Sequence, residues 1–169
     1  MMPAMSGWLR FLGILNAGIW LGAGIFLTFG AGQAVFSPGV LEVLGREKAG
    51  FVAQAILSRY FVLQYVCLAV AAVQLWLAGS SIPGVRPRLV LGVLAVLVLS
   101  GGLWLQPKLH DLNKVRYTMS LPEDERKEAG SSFGKLHGLS QVMNLVLLGG
   151  VLWHLCTVSR NRNPQSGKA

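Results

Sequence analysis

Formal charge is missing from this chain over four long windows, and that exclusion limits the fold more than any motif does. Residues 11–42, 60–86 and 89–108 hold no Asp, Glu, Lys or Arg between their ends, and residues 136–158 hold none at all. A helix needs roughly 20 apolar residues to cross the hydrocarbon of a bilayer. Each window supplies such a stretch, so the pattern predicts spans near residues 8–36, 56–78, 88–107 and 136–158. The N-terminal apolar run continues to Phe36, far beyond the roughly 7–15 residues of a secretory h-region, which predicts an uncleaved first span. Only 13% of the chain is charged, where soluble domains carry roughly a quarter. The expected fold is a single all-α integral membrane domain over residues 1–158, a four-helix transmembrane bundle. Residues 159–169 read as a basic, disordered tail.

The net charge of +8 does not point to nucleic acid, because the basic residues sit in short loops and tails between apolar runs. That placement fits the headgroups of a lipid bilayer. Six Lys or Arg lie on the side of the termini with no acid; nine lie on the connection side with all seven acids. Counting Lys and Arg alone would place the connections in the cytoplasm. Several of those nine, however, belong to helical extensions where they pair with acids. The termini are therefore expected to be cytoplasmic, in a multi-pass protein of the cell membrane (the inner membrane in a bacterium).

The fourth window, KLHGLSQVMNLVLLGGVLWHLC, organises the rest. His137, Ser140, Gln141 and Asn144 fall at i, i+3, i+4 and i+7, so on a helix they form one polar stripe. Lipid cannot hydrogen-bond these groups, so the stripe must face protein or water. Asn144 lies seven residues beyond His137, about 10 Å along a helix.

The other windows carry matching features. The first contains Asn16, Thr28 and Gln33, and a Gly18/Gly22 GxxxG step through which a helix, or a second copy in a homo-oligomer, could approach. In the second, Tyr60, Gln64, Cys67, Ala71 and Gln74 share a face, which is expected to look inward. Arg59 leaves two readings open: a snorkelling side chain at the interface, or an inward group that binds an anion or pairs with an acidic residue. The helix is expected to begin near Glu47 or Lys48, after a short connection. In the third, Gln106-Pro107 predicts a kink, with a helical extension that puts Gln106, His110, Asn113 and Tyr117 on one face. Ser120 reads as the cap of the helix that follows, with acidic residues in its first turn. Cys67 and Cys156 read as packing residues.

REKAGFVAQAILSRYFVLQYVCLAV begins like RKEAGSSFGKLHGLSQVMNLVLLGG, which suggests two repeated helical hairpins. With four spans, Gln33, Arg59, Gln64, Gln106, His110, His137, Ser140, Gln141 and Asn144 gather toward one side as a polar vestibule. His110 and His137 are the residues there that could ligate a metal or haem.

WLGAGIFLTFGAGQAVFSP, GREKAGFVAQAILSRYF, LQPKLHDLN and FGKLHGLSQVMNLVLLGG together resemble the transmembrane protein 205-like family. These are small four-span membrane proteins described as a domain of unknown function. The most specific pieces are the block from Phe133 to Asn144 and the Gln-Pro-x-x-His block from Gln106 to His110. The resemblance implies fold and membrane location, and hints at export or metal handling. More distantly, the span count and helix-end histidines look like the copper-resistance D and protoporphyrinogen-oxidising membrane families, which implies haem or metal chemistry.

Three functions follow from these residues. One is binding or transport of a small polar solute or metal ion through the vestibule. A second is a haem- or metal-binding oxidoreductase using His110 and His137, with His154 for a further site. The third is an assembly subunit whose polar stripes satisfy each other. No Cys-x-x-Cys, His-x-x-x-His, phosphate loop or nucleophile elbow is present, so a hydrolase or kinase has no residues to support it.

Overall fold

The computed structural model describes residues 7–78 and 85–160. These form four helices long and apolar enough to cross a membrane: Gly7–Val35, Pro38–Ala78, Arg86–Tyr117 and Glu123–Ser159. At most 28% of the most apolar window of any span is buried inside the chain. The remaining apolar surface, with Trp8, Phe26, Trp76 and Val96 among its most exposed side chains, is far more than a soluble protein leaves open to water. The chain is a multi-pass, all-α membrane protein.

The first span consists of α1 (Gly7–Ile25), a π-helical turn π1 (Phe26–Ala31) and α2 (Gly32–Val35). The second is α3 (Pro38–Ala78). The third consists of α4 (Arg86–Ser100), a second π-helical turn π2 (Gly101–Leu105) and α5 (Gln106–Tyr117). The fourth is α6 (Glu123–Ser159). The first and third spans each pack against both the second and the fourth, so they occupy opposite corners of a four-helix bundle.

Side chains hydrogen-bonded to neighbouring backbones fix the antiparallel register. Between the first two spans, Gln74 Nε2 donates to the Leu9 carbonyl and Asn16 Nδ2 to the Cys67 carbonyl, each at 2.9 Å. Between the second and third, Gln54 Nε2 donates to the Leu109 carbonyl at 3.2 Å. Between the first and fourth, Arg10 Nη2 donates to the Ser159 carbonyl at 2.6 Å. That last bond brings a cation to a helix C-terminus, where unpaired carbonyls and the helix dipole favour it. The apolar centre is filled by Trp20, Leu94, Val98 and Val151, drawn from the first, third and fourth spans. Cys67 and Ala71 complete it from the second. A methyl group at Gly150 would come within 2.8 Å of Leu94 Cδ2, so this glycine lets α6 approach α4 closely.

Several local expectations are corrected. The connection before the second span is itself helical, starting at Pro38 rather than near Glu47. Proline suits a first helical turn, where its missing N–H costs nothing. Gly45 interrupts α3 with φ 70 and ψ 163, a backbone region essentially closed to other residues. Ser120 does not cap α6: Pro122 holds the cap position without a side-chain bond, although Glu123, Asp124 and Glu125 do occupy the first turn. Gly18 and Gly22 have no atom of another helix near them and lie on the exposed face. Close approach within the chain uses Gly13 and Gly24 instead, where an added methyl would meet Gln74 and Val158, or Leu148 and Tyr60. The breaker-rich turn at residues 79–84 and the tail from residue 161 lie outside the described residues.

Candidate functional site

All four spans contribute to one cavity of about 190 Å³ in the half of the bundle nearer the connections. The fourth span supplies His137, Ser140, Gln141 and Asn144. One helix face carries all four, as their spacing requires. His137 and Gln141 are exposed and lie at the rim, while Ser140 and Asn144 are part-buried. The second span supplies Tyr60 and Gln64 across from them, the first Thr28, and the third Gln106. Apolar side chains, including Leu57, Phe61, Leu97, Leu105 and Leu147, form the remaining walls. No Asp, Glu, Lys or Arg lines the cavity.

Part of this polar lining is satisfied internally. Asn144 Nδ2 donates to Thr28 Oγ1 at 2.8 Å, and Thr28 Oγ1 donates to the Gly24 carbonyl at 2.7 Å. Ser140 Oγ donates to the His137 carbonyl at 2.7 Å. Gln106 Nε2 donates to Ser58 Oγ at 2.8 Å. Gln141 Nε2 lies 3.3 Å from His137 Nε2. An amide nitrogen can only donate, so His137 Nε2 accepts here and the ring proton sits on Nδ1.

Two groups on the second span are not satisfied. Tyr60 is 7% exposed and Gln64 is 2% exposed. Gln64 reaches Tyr60 one turn away on the same helix face, and neither Tyr60 Oη nor Gln64 Oε1 has surface open to the cavity or a further hydrogen-bond partner. A buried polar atom left unmet costs about 1–3 kcal/mol, and Trp20 Nε1, Asn113 Nδ2, Arg126 Nε and His154 Nε2 stand in the same state away from the cavity.

The remaining sequence candidates lie elsewhere. Arg59 is exposed and does not line the cavity, the placement that snorkelling requires. Gln33 is exposed one residue beyond Gly32, which does line it. His110 is part-buried outside the lining, and its Nδ1 contacts Gln54 Oε1. An amide oxygen can only accept, so His110 also carries its proton on Nδ1. The cavity therefore brings together Gln64, Gln106, His137, Ser140, Gln141 and Asn144, and leaves out Gln33, Arg59 and His110. Of the inward face Tyr60, Gln64, Cys67, Ala71 and Gln74, the first four are buried, and Gln74 is part-buried, with its amide on the Leu9 carbonyl.

The residues do not fit the metal or haem that the resemblance implied. Among the described residues, no three His, Cys, Asp or Glu side chains stand together as a metal would need. The His137 Nε2 lone pair is engaged by Gln141. The cavity is little larger than the roughly 150 Å³ that takes up one benzene, and a porphyrin needs far more room.

Sequence reasoning passed over three residues here. Gln54 was missed as the group that orients His110; its one signal is Ser58 a turn later, whose Oγ donates back to the Gln54 carbonyl at 3.0 Å. The sequence marks Thr28 only as one polar residue of the first window, and Tyr60 only as part of an inward face. Both π-helical turns also touch the cavity, through Leu27 and Thr28 of π1 and Gly101 and Leu105 of π2. Such turns recur at functional sites. The second has a visible cause. Pro107 cannot donate to the carbonyl of Leu103, and its ring would crowd that carbonyl. The wider turn just before it accommodates both problems, and the helix resumes to Tyr117.

A family model described as a domain of unknown function, DUF4149, matches residues 15–118. No curated protein and no solved structure matches the chain. The match takes in most of the first span and all of the second and third, ending just before the fourth, which carries the stripe from His137 to Asn144. It covers more than half of the sequence, and the chain accordingly belongs to the DUF4149 family of domains of unknown function.

Proposed function

We propose that this protein binds a small, uncharged, hydrogen-bonding molecule in its intramembrane cavity, and that transport, if it occurs, passes through this site. The observation that carries the reading is a cavity bounded by all four spans, which gathers Gln64, Gln106, His137, Gln141 and Asn144 among apolar walls and has no charged Asp, Glu, Lys or Arg in its lining. The absence of charged side chains from the lining argues against a free metal ion or anion as cargo, because a bare ion in such a site would lack a counter-charge. The likeness of the block from Phe133 to Asn144 to the transmembrane protein 205-like family is compatible with this reading, though it names no ligand.

The assembly reading has its own support, since Asn144, Ser140 and Gln106 all find partners within the chain. Cysteine accessibility separates the two. Cys156 is exposed and should first be changed to serine; Cys67 is buried and can stay. In that background Gln141→Cys should react with a small water-soluble thiol reagent, and Val151→Cys, at a fully buried position, should not. An unreactive Gln141→Cys in folded protein would favour the closed structural network and remove the binding reading.

A further inference from the structure

A second hollow lies on the outside of the bundle, between α3 and α4, and shares no lining residue with the cavity. We propose that this groove seats one acyl chain of an anionic phospholipid, with the lipid phosphate at Arg88. The inference is independent of the binding reading above.

Small residues make the groove. Ala69 and Ala72 of α3 and Gly92 and Ala95 of α4 line it, each pair on one helix face. A methyl group added at Gly92 would meet nothing within 4 Å, so the space between the two helices stays open there. The volume is about 640 Å³. In a bilayer such a space fills with hydrocarbon. Left empty it forfeits dispersion contacts, and its apolar walls offer water too few partners.

The groove has the depth of one leaflet. From Leu91 to Leu103 it follows the third span for about 18 Å. Half of a typical hydrocarbon core is about 15 Å. Tyr65 closes the deep end, with its hydroxyl against Gly102 of π2.

The headgroup follows from the other end. Arg88 stands there, exposed, one turn before Leu91. Arg88 already makes an interaction within the chain, but a guanidinium has five donors and can serve a phosphate as well. Helix α4 begins at Arg86, so the positive end of its dipole favours an anion at the same place. The sequence holds no Asp or Glu from Lys48 to His110. No carboxylate on α4, on the turn before it or on the adjoining half of α3 therefore repels the phosphate. A second copy of the chain is a poorer occupant. A two-fold pair packed through this face in one membrane would bring Arg86 and Arg88 of both copies together.

The test uses the full chain in detergent, with lipid retention followed by native mass spectrometry. The probes are phosphatidylglycerol and phosphatidylethanolamine carrying the same two oleoyl chains. The first phosphatidylglycerol should bind about fivefold more tightly than the first phosphatidylethanolamine, or better. Arg88→Gln should erase that preference. Arg160→Gln removes an exposed charge on the same side of the membrane, outside the groove, and should leave the preference intact. Gly92→Leu fills the groove and should weaken retention of both lipids several-fold. Ala72→Leu fills it from the opposite wall and serves if Gly92→Leu misfolds. Equal retention of the two lipids would overturn the proposal. Equal losses from Arg88→Gln and Arg160→Gln would do the same, as would full retention in the filled-groove variants. A lipid-free dimer that Gly92→Leu dissociates would give the groove to a second copy instead.

Discussion

Asn144 of the fourth span donates its side-chain amide to Thr28 Oγ1 of the first, 116 residues away in sequence, at 2.8 Å. Thr28 passes the interaction on to the Gly24 carbonyl in α1, two residues before the first π-helical turn. The bond ties the deep end of the polar stripe to the irregular part of the opposite wall. Gln64, on the other wall, has no such partner for its oxygen. The deep end of the stripe is therefore tied across the bundle, whereas Gln64 Oε1 is buried without such a tie.

Replacing Asn144 with leucine tests the satisfied wall. Interhelical hydrogen bonds in membranes average about 0.6 kcal/mol, and Thr28 keeps its bond to Gly24. We expect Asn144→Leu to change stability by less than about 1 kcal/mol, measured by unfolding in mixed micelles. A loss of several kcal/mol would mark the stripe as a structural keystone.

The glycines separate close packing from open surface. Gly150→Ala drives a methyl group into Leu94, and we expect a cost of about 1–3 kcal/mol. Gly18→Ala and Gly22→Ala meet nothing within 4 Å, so they should be close to neutral or slightly stabilising. If that outward face joins two copies of the chain in a membrane, larger residues at Gly18 and Gly22 should abolish cross-linked dimers without loss of fold. Equal destabilisation by all three alanines would contradict the packing described here.

Gly45 supplies a backbone test. Its φ of 70 and ψ of 163 lie where a side chain is strained. Gly45→Ala should cost about 1–3 kcal/mol, although nothing within 4 Å would touch the new methyl. An unaltered melting transition would mean that the two parts of α3 can join without this bend.

The spans were legible because charge exclusion is a whole-window property, and helix periodicity then placed the stripe from His137 to Asn144 on one face. The internal echo has a structural counterpart. The alignment that pairs Arg46 with Arg126 also pairs Ala49 with Ala129, Cys67 with Leu147 and Ala71 with Val151, and all six of these are buried. It also pairs Gln64 with Asn144, and both line the cavity. What remained hidden depends on rotation about the helix axis. Arg59 and Tyr60 are neighbours in sequence, yet one is exposed and the other buried, and a run with apolar residues on every face does not say which way it turns. The π-helical turns were hidden for a related reason: each rotates the helix after it, and only Pro107 advertises one. Gln54 went unread because its partners on the third span are distant in sequence.

The occupancy of the cavity is read most directly by an experimental structure of the protein purified with its native lipids. The expected result is non-protein density between the four spans, beside Gln141 and Asn144 in the cavity they line. A collapsed cavity, its polar side chains bonded only to groups of the chain itself, would contradict the binding function proposed for this protein.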